Sequence, residues 1–538
     1  MQRTAPRWWQ TGVVYQVYPR SFADSDGDGT GDLRGLTSRL DHLAWLGVDA
    51  IWISPFYPSP MADFGYDVAD YTAVDPLFGT MDDFDELLAA AHERGIRLIV
   101  DYVPNHTSDK HPWFVESRAS RTSAKADWYV WRDAKPDGSL PNNWISMFAG
   151  PAWEWDDVRQ QYYLHIFLSE QPDLNWRNPE VRAAMFDVAR FWLDRGTDGF
   201  RIDVAPMVMK DPELRDNPPN LDPVREHSRL GSWLTQLHVN DLNHPDMHEL
   251  YRSFRTLLES YPGERVSIGE LHHPDFDRWA EYYGERQDEI HVPFNFHVIN
   301  SPWTADAVRR AVEGVEGALP AGAWASWVLG NHDQPRFASP ERAGRAQAKV
   351  GMLLLLTLRG TPTIYYGEEI GMVDVPVAAE DSRDPLERRE SGRGRDPERS
   401  PMQWDASPNA GFTDPEAVPW LPLASDADVV NVAAQAQDPN SILTLTRDLL
   451  RLRRDQPVLL RGDFERFGPT PDGTFAFRRI GPQGRLNVVL NLTDQARTVP
   501  DGGPGRVLIG THRDRDGATV DRSVELRPNE AVVIEAGA

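Results

Sequence analysis

Short apolar runs recur along the first two thirds of the chain, and most are followed by a stretch with the spacing of an amphipathic helix. AIWIS at 50–54, for example, precedes a loop and then the helical pattern MDDFDELLAAAHERG. Strands that alternate with helices in this way indicate parallel βαβ units, and eight such units favour a closed (β/α)₈ TIM barrel over an open sheet. The predicted strands are VVYQVY (13–18), AIWIS (50–54), RLIVDYV (97–103), GFRIDV (199–204), VSIGEL (266–271), HVPFNF (291–296), WVLGN (327–331) and TIYYGEE (363–369).

Two long stretches interrupt this alternation. Residues 104–173 follow the third strand, are rich in Trp, Asp and Pro, and predict an inserted subdomain. Residues 367–437 follow the eighth strand and predict a long polar loop over one face of the barrel. From about residue 457 the runs become short strands separated by Gly, Asp and Pro turns, typical of an all-β sandwich domain. The predicted organisation is a barrel over 1–103 and 174–456, with the inserted subdomain between its two parts, and a C-terminal β domain over 457–538.

Four of the predicted barrel strands run into polar groups that do not suit burial. GFRID ends on Asp203, SIGEL contains Glu270, WVLGNHD ends on Asp333, and RLIVDYVPNH carries Asp101 and then His106. The carboxyl ends of barrel strands form the active-site face of this fold. A carboxylate at such a position is costly to bury and adds nothing to packing, so the pattern predicts chemistry at this face.

The carboxylates match one particular reaction. Glycoside hydrolysis needs two carboxyl groups at the scissile bond, one ionised and one protonated. Clustered like charges raise one pKa, which keeps a general acid protonated near neutral pH. Arg201 lies two residues before Asp203, so it points to the same face of the strand and is expected to hold that carboxylate ionised. A structural ion pair is the alternative for any one of these residues, but it explains poorly three carboxylates on separate strands.

The motifs resemble those of the α-amylase family of glycoside hydrolases, family 13, and within it the bacterial α-glucosidase and oligo-1,6-glucosidase group. The matching segments are DYVPNH (101–106), GFRIDV (199–204), IGEL (268–271) and NHD (331–333). QPDLN at 171–175 is the short motif typical of the oligosaccharide-cleaving group. The resemblance extends from about residue 8 to residue 460.

The resemblance implies a role for each matching position. Asp203 resembles the nucleophile, Glu270 the general acid/base and Asp333 the residue that stabilises the transition state. Arg399, in ERSPMQW, resembles the arginine that pairs with Asp63 and closes the pocket. Phe148, Phe167 and Phe296 are candidate walls, although ordinary core aromatics explain them equally well. The predicted substrate-binding residues are Asp63, Tyr66, His106, Phe148, Phe167, Arg201, Phe296, His332 and Arg399.

A closed pocket implies exo action on one terminal glucose. The resemblance thus implies a retaining α-glucosidase that releases glucose from short α-1,4- or α-1,6-linked substrates through a covalent glucosyl-enzyme. A transglucosylase or a sugar isomerase on the same barrel, of the trehalose synthase or sucrose-acting type, is the first alternative. A non-catalytic barrel subunit of a transporter is the second, but such relatives lose the carboxylates and carry a membrane anchor. The polar, Pro-rich stretch 205–245 is expected to shape the leaving-group side.

The acidic loop DSDGDGTGDL at 24–33 is a candidate metal site. Its carboxylates alternate with glycines, and hard oxygen ligands at such spacing suit a structural Ca²⁺ or Mg²⁺. An EF-hand is excluded because Gly35 stands where the bidentate Glu belongs, and a phosphate loop is excluded because no Lys follows. A plain acidic turn remains the alternative. The predicted ligands are Asp24, Asp26, Asp28, Asp32 and, from the resemblance, the carbonyl of Thr30.

Composition limits the partners, the metal sites and the membrane segments that this chain can have. The net charge of −26 argues against binding to nucleic acid or to an anionic membrane surface. The absence of cysteine excludes disulfides, thiolate zinc sites and iron–sulfur clusters. The N-terminal segment lacks an apolar signal region, and VGMLLLLTL at 350–358 is too short to span a bilayer. We therefore expect a soluble cytoplasmic enzyme, monomeric or dimeric, with small α-glucosides as substrates and no organic cofactor.

Overall fold

The computed structural model describes residues 6–221, 231–500 and 503–537. Residues 222–230, in the stretch predicted to shape the leaving-group side, lie outside the described residues. Eight parallel strands form one sheet in which the first pairs with both the second and the eighth, Val14 lying opposite Ala50 and Thr363. The barrel strands are Val14–Val17, Ala50–Ile53, Arg97–Tyr102, Gly199–Ile202, Val266–Leu271, Val292–Asn295, Ser326–Val328 and Thr361–Tyr365.

The sheet curls into a nearly closed barrel. Its order begins at the seventh barrel strand and ends at the sixth, and the side chain of Asn295 donates to the carbonyl of Ser326 across that seam. Trp52, Val266 and Phe294 belong to the apolar cluster formed by the barrel strands. The predicted (β/α)₈ barrel is confirmed, and all eight predicted strands are present.

Helices connect the strands and cover the barrel, and their ends follow local capping chemistry. Thr80 and Asp83 form a reciprocal capping box before Met81–Glu93, and Asn178 caps Pro179–Arg195 with proline at its first position. No helix among the described residues is both long enough and apolar enough to cross a membrane. The α-helices are Trp8–Thr11, Pro19–Phe22, Leu33–Ser38, Leu40–Leu46, Met81–Glu93, Pro112–Ala119, Pro179–Arg195, Met247–Glu259, Phe276–Ala280, Ala305–Ala318, Arg345–Thr357, Pro385–Arg389, Val432–Gln437, Ile442–Asp455 and Pro457–Arg461. The 3₁₀ helices are Ala205–Met207, Gly231–Thr235, Glu281–Tyr283, Glu368–Ile370, Asp396–Arg399 and Pro408–Gly411.

A small antiparallel sheet lies in the chain between the third and fourth barrel strands, where the insertion was predicted. Its strands are Trp131–Arg132, Trp153–Asp156 and Gln161–Leu164, with Gln161–Leu164 in the middle. Buried Lys210 ties this region to the barrel, since its ammonium lies 2.6 Å from both Asp173 and the amide oxygen of Asn105. The exact limits of the subdomain, 104 and 173, stay a prediction.

From Asp463 onward the C-terminal region is built of strands, as predicted, although the predicted start at residue 457 falls on the helix Pro457–Arg461. A six-stranded antiparallel sheet packs against a two-stranded sheet, and Val489, Val499, Val524 and Val532 share one apolar cluster between them. The strands are Asp463–Arg466, Thr474–Gly481, Gly484–Asn491, Arg497–Val499, Gly505–Gly510, Thr519–Val520, Val524–Leu526 and Ala531–Ala536.

Candidate active site

Arg201 lies at the centre of the carboxyl face of the barrel. It projects from the fourth barrel strand, and its Nη1 donates to Asp101 at 2.9 Å and to Asp203 at 2.7 Å. Its Nη2 donates to Glu270. Carboxylates from three neighbouring strands therefore share one buried guanidinium, and we call these four residues the Arg201 cluster. A buried charge of this kind is tolerated only when it is paired, which explains the convergence.

The charge balance in this cluster differs from the expectation that Asp203 is ionised and Glu270 protonated. Burial raises the pKa of Asp203 well above its usual range, and the neighbouring charges of Glu270 and Asp101 add to this rise. Burial also opposes ionisation of Glu270, but Arg201 and then His272 outweigh it and bring its pKa to about 2. The geometry gives the reason, because one oxygen of Glu270 accepts from both Arg201 and the backbone N–H of Val204.

Asp333 stands beside this cluster and is held by histidine and arginine. Its Oδ2 lies 3.2 Å from Nε2 of His332, and its Oδ1 accepts from Nη2 of Arg399 at 2.9 Å. The imidazole of His332 stacks on the ring of Tyr66 and lies 2.8 Å from its hydroxyl. Asp203, Glu270, Asp333, Tyr66 and His332, predicted from separate motifs, are thus brought together.

A second buried arginine closes one end of the site, and it is not the arginine expected. Arg395 donates to Asp63 at 2.7 Å, to Asp384 at 2.9 Å and to Asp333 at 3.2 Å. The pairing of Arg399 with Asp63 that the resemblance implied is therefore wrong, because Arg399 bonds Asp333 and the carbonyl of His332 instead. We call Arg395, Asp63, Asp333 and Asp384 the Arg395 cluster.

Aromatic and amide groups surround the closed end. The rings of His106 and Phe167 lie 4.9 Å apart, and the guanidinium of Arg395 lies over Phe148 at 5.2 Å. Gln171, from the QPDLN motif, contacts both Asp63 and His106. Burial lowers the pKa of His106 to about 3, so its imidazole is neutral at physiological pH.

The other end of the site is more open. The side chain of Asp333 is 26% exposed and that of His272 is 36% exposed, whereas those of Asp203 and Glu270 are 7% exposed. His272 follows the fifth barrel strand directly and stacks on Phe296, with ring centroids 3.7 Å apart. Asp63 and Arg395 are buried on one side of the site, and Asp333 and His272 are its partly exposed groups.

Sequence reasoning missed several residues of this pocket. His272 could have been found, because it follows a barrel strand end as the other site residues do. Gln171 lies inside a motif that was already recognised. Asp384 and Arg395 come from the long loop after the eighth strand, where no periodic pattern marks them.

The acidic loop after the first barrel strand gathers some of the predicted metal ligands. Carboxylate oxygens of Asp24, Asp26 and Asp28 lie within 4.8 Å of one another, an all-oxygen set that fits a hard divalent cation. Asp32 accepts instead from the backbone of Ser25 and Gly35 and caps the helix that follows. Its role as a ligand, and that of the Thr30 carbonyl, stay predictions.

The same loop supports the long loop that carries Arg395 and Arg399. Thr413 donates to Asp24 at 2.5 Å, and the backbone N–H of Trp420 donates to the carbonyl of Gly29 at 2.9 Å. The acidic loop thus contacts the segment that closes the pocket rather than the carboxylates of the Arg201 cluster.

A TIM barrel that gathers carboxylates at the ends of its fourth, fifth and seventh strands, with a buried arginine bonding the first two, defines the glycoside-hydrolase class of enzymes. The description "Alpha amylase, catalytic domain" matches residues 16–462 of this chain. The chain belongs to the alpha-amylase family of glycoside hydrolases.

Similar proteins cover almost the whole chain. It is 44% identical to a probable alpha-glucosidase of Rhizobium meliloti over 91% of this chain and 90% of the relative. It is 37% identical to an oligo-1,6-glucosidase of Heyndrickxia coagulans over 98% and 99% of the two chains. The crystal structure of the alpha-glucosyl transfer enzyme XgtA aligns with a TM-score of 0.92 and 40% identity, over 99% of this chain and 100% of XgtA.

Proposed function

We propose that this enzyme is a retaining, exo-acting α-glucosidase that releases terminal glucose from short α-1,4- or α-1,6-linked substrates. The observation that carries the proposal is the pairing of Asp203 and Glu270 through one guanidinium, inside a pocket that Asp63 and Arg395 close. The similarity to a probable alpha-glucosidase and to an oligo-1,6-glucosidase supports the same activity.

The closed end of the pocket holds the terminal glucose. Asp63 and His106 offer a carboxylate and a neutral imidazole to the sugar hydroxyls at this end, with Arg395 behind them. Asp333 and His332 face the sugar beside the reaction centre. With Asp63 and Arg395 buried at this end, the enzyme removes one glucose at a time from a chain end.

The chemistry follows two displacements. Asp203 attacks the anomeric carbon while Glu270 gives its proton to the departing glycosidic oxygen, which forms the covalent glucosyl-enzyme. A water molecule then gives its proton to Glu270 as its oxygen attacks the same carbon and releases Asp203. Arg201 orients both carboxylates throughout, since it bonds each of them.

A substrate panel tests this proposal. Maltose, isomaltose, sucrose, trehalose and nitrophenyl α-glucoside are each incubated with the enzyme, and the first-formed sugar is followed by NMR. Net retention predicts α-glucose as the initial product. Initial release of β-glucose, or no turnover of any of the five, overturns the assignment.

Glucosyl transfer is a second candidate, favoured by the full-length similarity to an alpha-glucosyl transfer enzyme. Transfer uses the same covalent intermediate but lets a sugar hydroxyl replace water as the acceptor. Whether water or a sugar hydroxyl enters past Asp333 and His272 decides between hydrolysis and transfer. Residues 205–245 contribute to that choice. Product analysis at high sugar concentration separates the two, because transfer yields new disaccharides or isomers whereas hydrolysis yields only glucose and the leaving group.

A further inference from the structure

His272 connects the buried Glu270 to the surface. Its Nε2 lies 2.9 Å from Oε1 of Glu270, and its ring is held against Phe296 at a centroid distance of 3.7 Å. Its side chain is 36% exposed, whereas that of Glu270 is 7% exposed. One imidazole therefore contacts both the solvent and the oxygen of a buried carboxyl group.

The two oxygens of Glu270 are not equivalent. Oε2 accepts from Nη2 of Arg201 and from the N–H of Val204, and both donors favour negative charge on that oxygen. A proton on Glu270 must therefore be carried by Oε1, the oxygen that faces His272. The other acidic groups that act on Glu270 are Asp333, Asp203 and Asp101.

We propose that His272 is a positioning residue that orients Oε1 of Glu270 and stores the acid proton between turnovers. The proposal rests on the α-glucosidase function proposed above. A ring nitrogen of histidine can either donate or accept a hydrogen bond, so Nε2 can carry the proton that it shares with Oε1 of Glu270. In the empty site this proton lies on Nε2 and bridges to Oε1.

The proton is conserved through the reaction. When the substrate enters, the proton moves from Nε2 of His272 to Oε1 of Glu270, which leaves the imidazole neutral. Glu270 then gives it to the glycosidic oxygen as the bond from that oxygen to the anomeric carbon breaks and the bond to Asp203 forms. In the second step the attacking water gives its proton to Glu270, and His272 takes it up again.

Leaving groups of different acidity provide the test. We compare the parent enzyme with His272→Gln, which keeps a hydrogen-bond donor but cannot take up a proton, on maltose and on a series of aryl α-glucosides. The most acidic phenols need no protonation, so their kcat/KM should stay within about twofold of the parent value. For the least acidic phenols and for maltose, kcat/KM should fall by about 10- to 100-fold.

The pH profile gives a second readout. Without the imidazole the acid proton is held by Glu270 alone and is lost at lower pH. The alkaline limb of kcat/KM for maltose should therefore move to lower pH in His272→Gln, while the alkaline limb for the most acidic aryl glucoside stays in place. His273→Gln is the matched control, because His273 contacts Asp275 on the surface. It should keep the parent values on every substrate.

Two results would overturn the proposal. An equal loss on all leaving groups would mean that His272 and Phe296 only form a wall for the leaving group, and parent-like values throughout would mean that His272 has no role. If His272→Gln does not fold, His272→Ala with added imidazole replaces it, and the proposal requires that imidazole restore maltose turnover. A parent enzyme inactive on every glucoside would instead overturn the α-glucosidase function itself.

Discussion

Two buried arginines organise the site, and each contacts three carboxylates. Arg201 bonds Asp101, Asp203 and Glu270. Arg395 bonds Asp63, Asp333 and Asp384. The two clusters have similar parts, but the first lies on barrel strands and the second is built mainly from loops.

The difference between the clusters is their charge balance. The Arg201 cluster sets one guanidinium against three carboxylates, and burial raises the pKa of Asp203 well above its usual range and that of Asp101 to about 6. At the other end Arg399 supplies a second guanidinium to Asp333. Burial there is outweighed by Arg395, which holds the pKa of Asp384 well below its usual range. Burial raises the pKa of Asp63 in this second cluster, so the contrast between the clusters rests on the two guanidinium groups that contact Asp333 and on the lowered pKa of Asp384.

The largest expected effect comes from removing the nucleophile. Asp203→Asn should lower kcat for maltose by about 10⁴-fold or more, because the amide cannot form the covalent intermediate. Burial, Glu270 and Asp101 together oppose a charge on Asp203 more than Arg201 favours it, so the melting temperature should stay at the parent value or rise. Steady-state kinetics and thermal unfolding of one preparation measure both. A variant with a tenth of the parent kcat would show that Asp203 is not the nucleophile.

Breaking the other cluster should act on stability as well as on activity. Arg395→Ala leaves Asp63 and Asp384 buried without their cation, and losing one partner of a buried ion pair costs about 3–5 kcal/mol. Urea unfolding measures this loss. Arg388→Ala, an exposed arginine in the same loop, is the control and should change stability by less than about 0.5 kcal/mol. Equal unfolding midpoints for the two variants would show that the ion pairs of Arg395 do not stabilise the fold.

The same contrast explains how much of the site the sequence could predict. Residues of the Arg201 cluster lie in or directly after apolar strands, where a polar group stands out, and the fold brings all strand ends together. Asp101, Arg201, Asp203 and Glu270 were therefore recognisable, as was the barrel that positions them. How the proton is distributed between Asp203 and Glu270 could not be predicted from the sequence, because it depends on which oxygen accepts from Arg201 and Val204, and that is a property of side-chain geometry.

The Arg395 cluster could not be predicted in the same way. GRGRDPERSPMQW contains several arginines, and nothing in their spacing says which one reaches Asp63. The choice depends on the course of the long loop and on the 3₁₀ turn Asp396–Arg399 that separates the side chains of Arg395 and Arg399. Asp384 lies in the same long loop, and no sequence pattern there marked it as a site residue.

Removing a bound cation should affect the stability of the loop that carries the Arg395 cluster rather than the chemistry at the Arg201 cluster. If the acidic loop holds a divalent ion, chelation removes linkage energy of about 2–3 kcal/mol when the ion is near a hundred times its Kd. The melting temperature should then fall by a few degrees, while the initial rate at low temperature stays nearly constant. Asp26→Asn is the control and should make the melting temperature insensitive to chelator. An immediate, reversible loss of turnover without loss of stability would contradict this separation.

The acid limb of the pH profile should distinguish the two clusters directly. Asp203 must be ionised to attack, and the charge of Asp101 contributes to the raised pKa of Asp203. Asp101→Asn should therefore lower that pKa and extend activity to lower pH, by about half to one pH unit. Asp384→Asn, the matching change in the Arg395 cluster, should leave the acid limb in place even if it lowers the rate. Equal shifts in both variants would mean that the two clusters titrate together.

The smallest expected effect concerns linkage preference at Val204, which follows the nucleophile. Its backbone adopts φ 35° and ψ 48°, a left-handed conformation that a β-branched residue rarely takes, and its N–H donates to Glu270. In the resembled group a Val at this position tends to accompany cleavage of α-1,6 bonds and a Thr that of α-1,4 bonds. The buried side chain packs in the same apolar cluster as Phe148 and Phe167.

Val204→Thr keeps the volume nearly constant and adds a hydroxyl near the leaving sugar. One such group shifts discrimination by about 1 kcal/mol, so the ratio of kcat/KM for maltose over isomaltose should rise by somewhat under tenfold. Val204→Ala, which loses volume without gaining a hydroxyl, separates the polar effect from a change in packing and should not raise the ratio. If Val204→Thr leaves the ratio within error of the parent value, the 205–245 loop determines linkage preference instead.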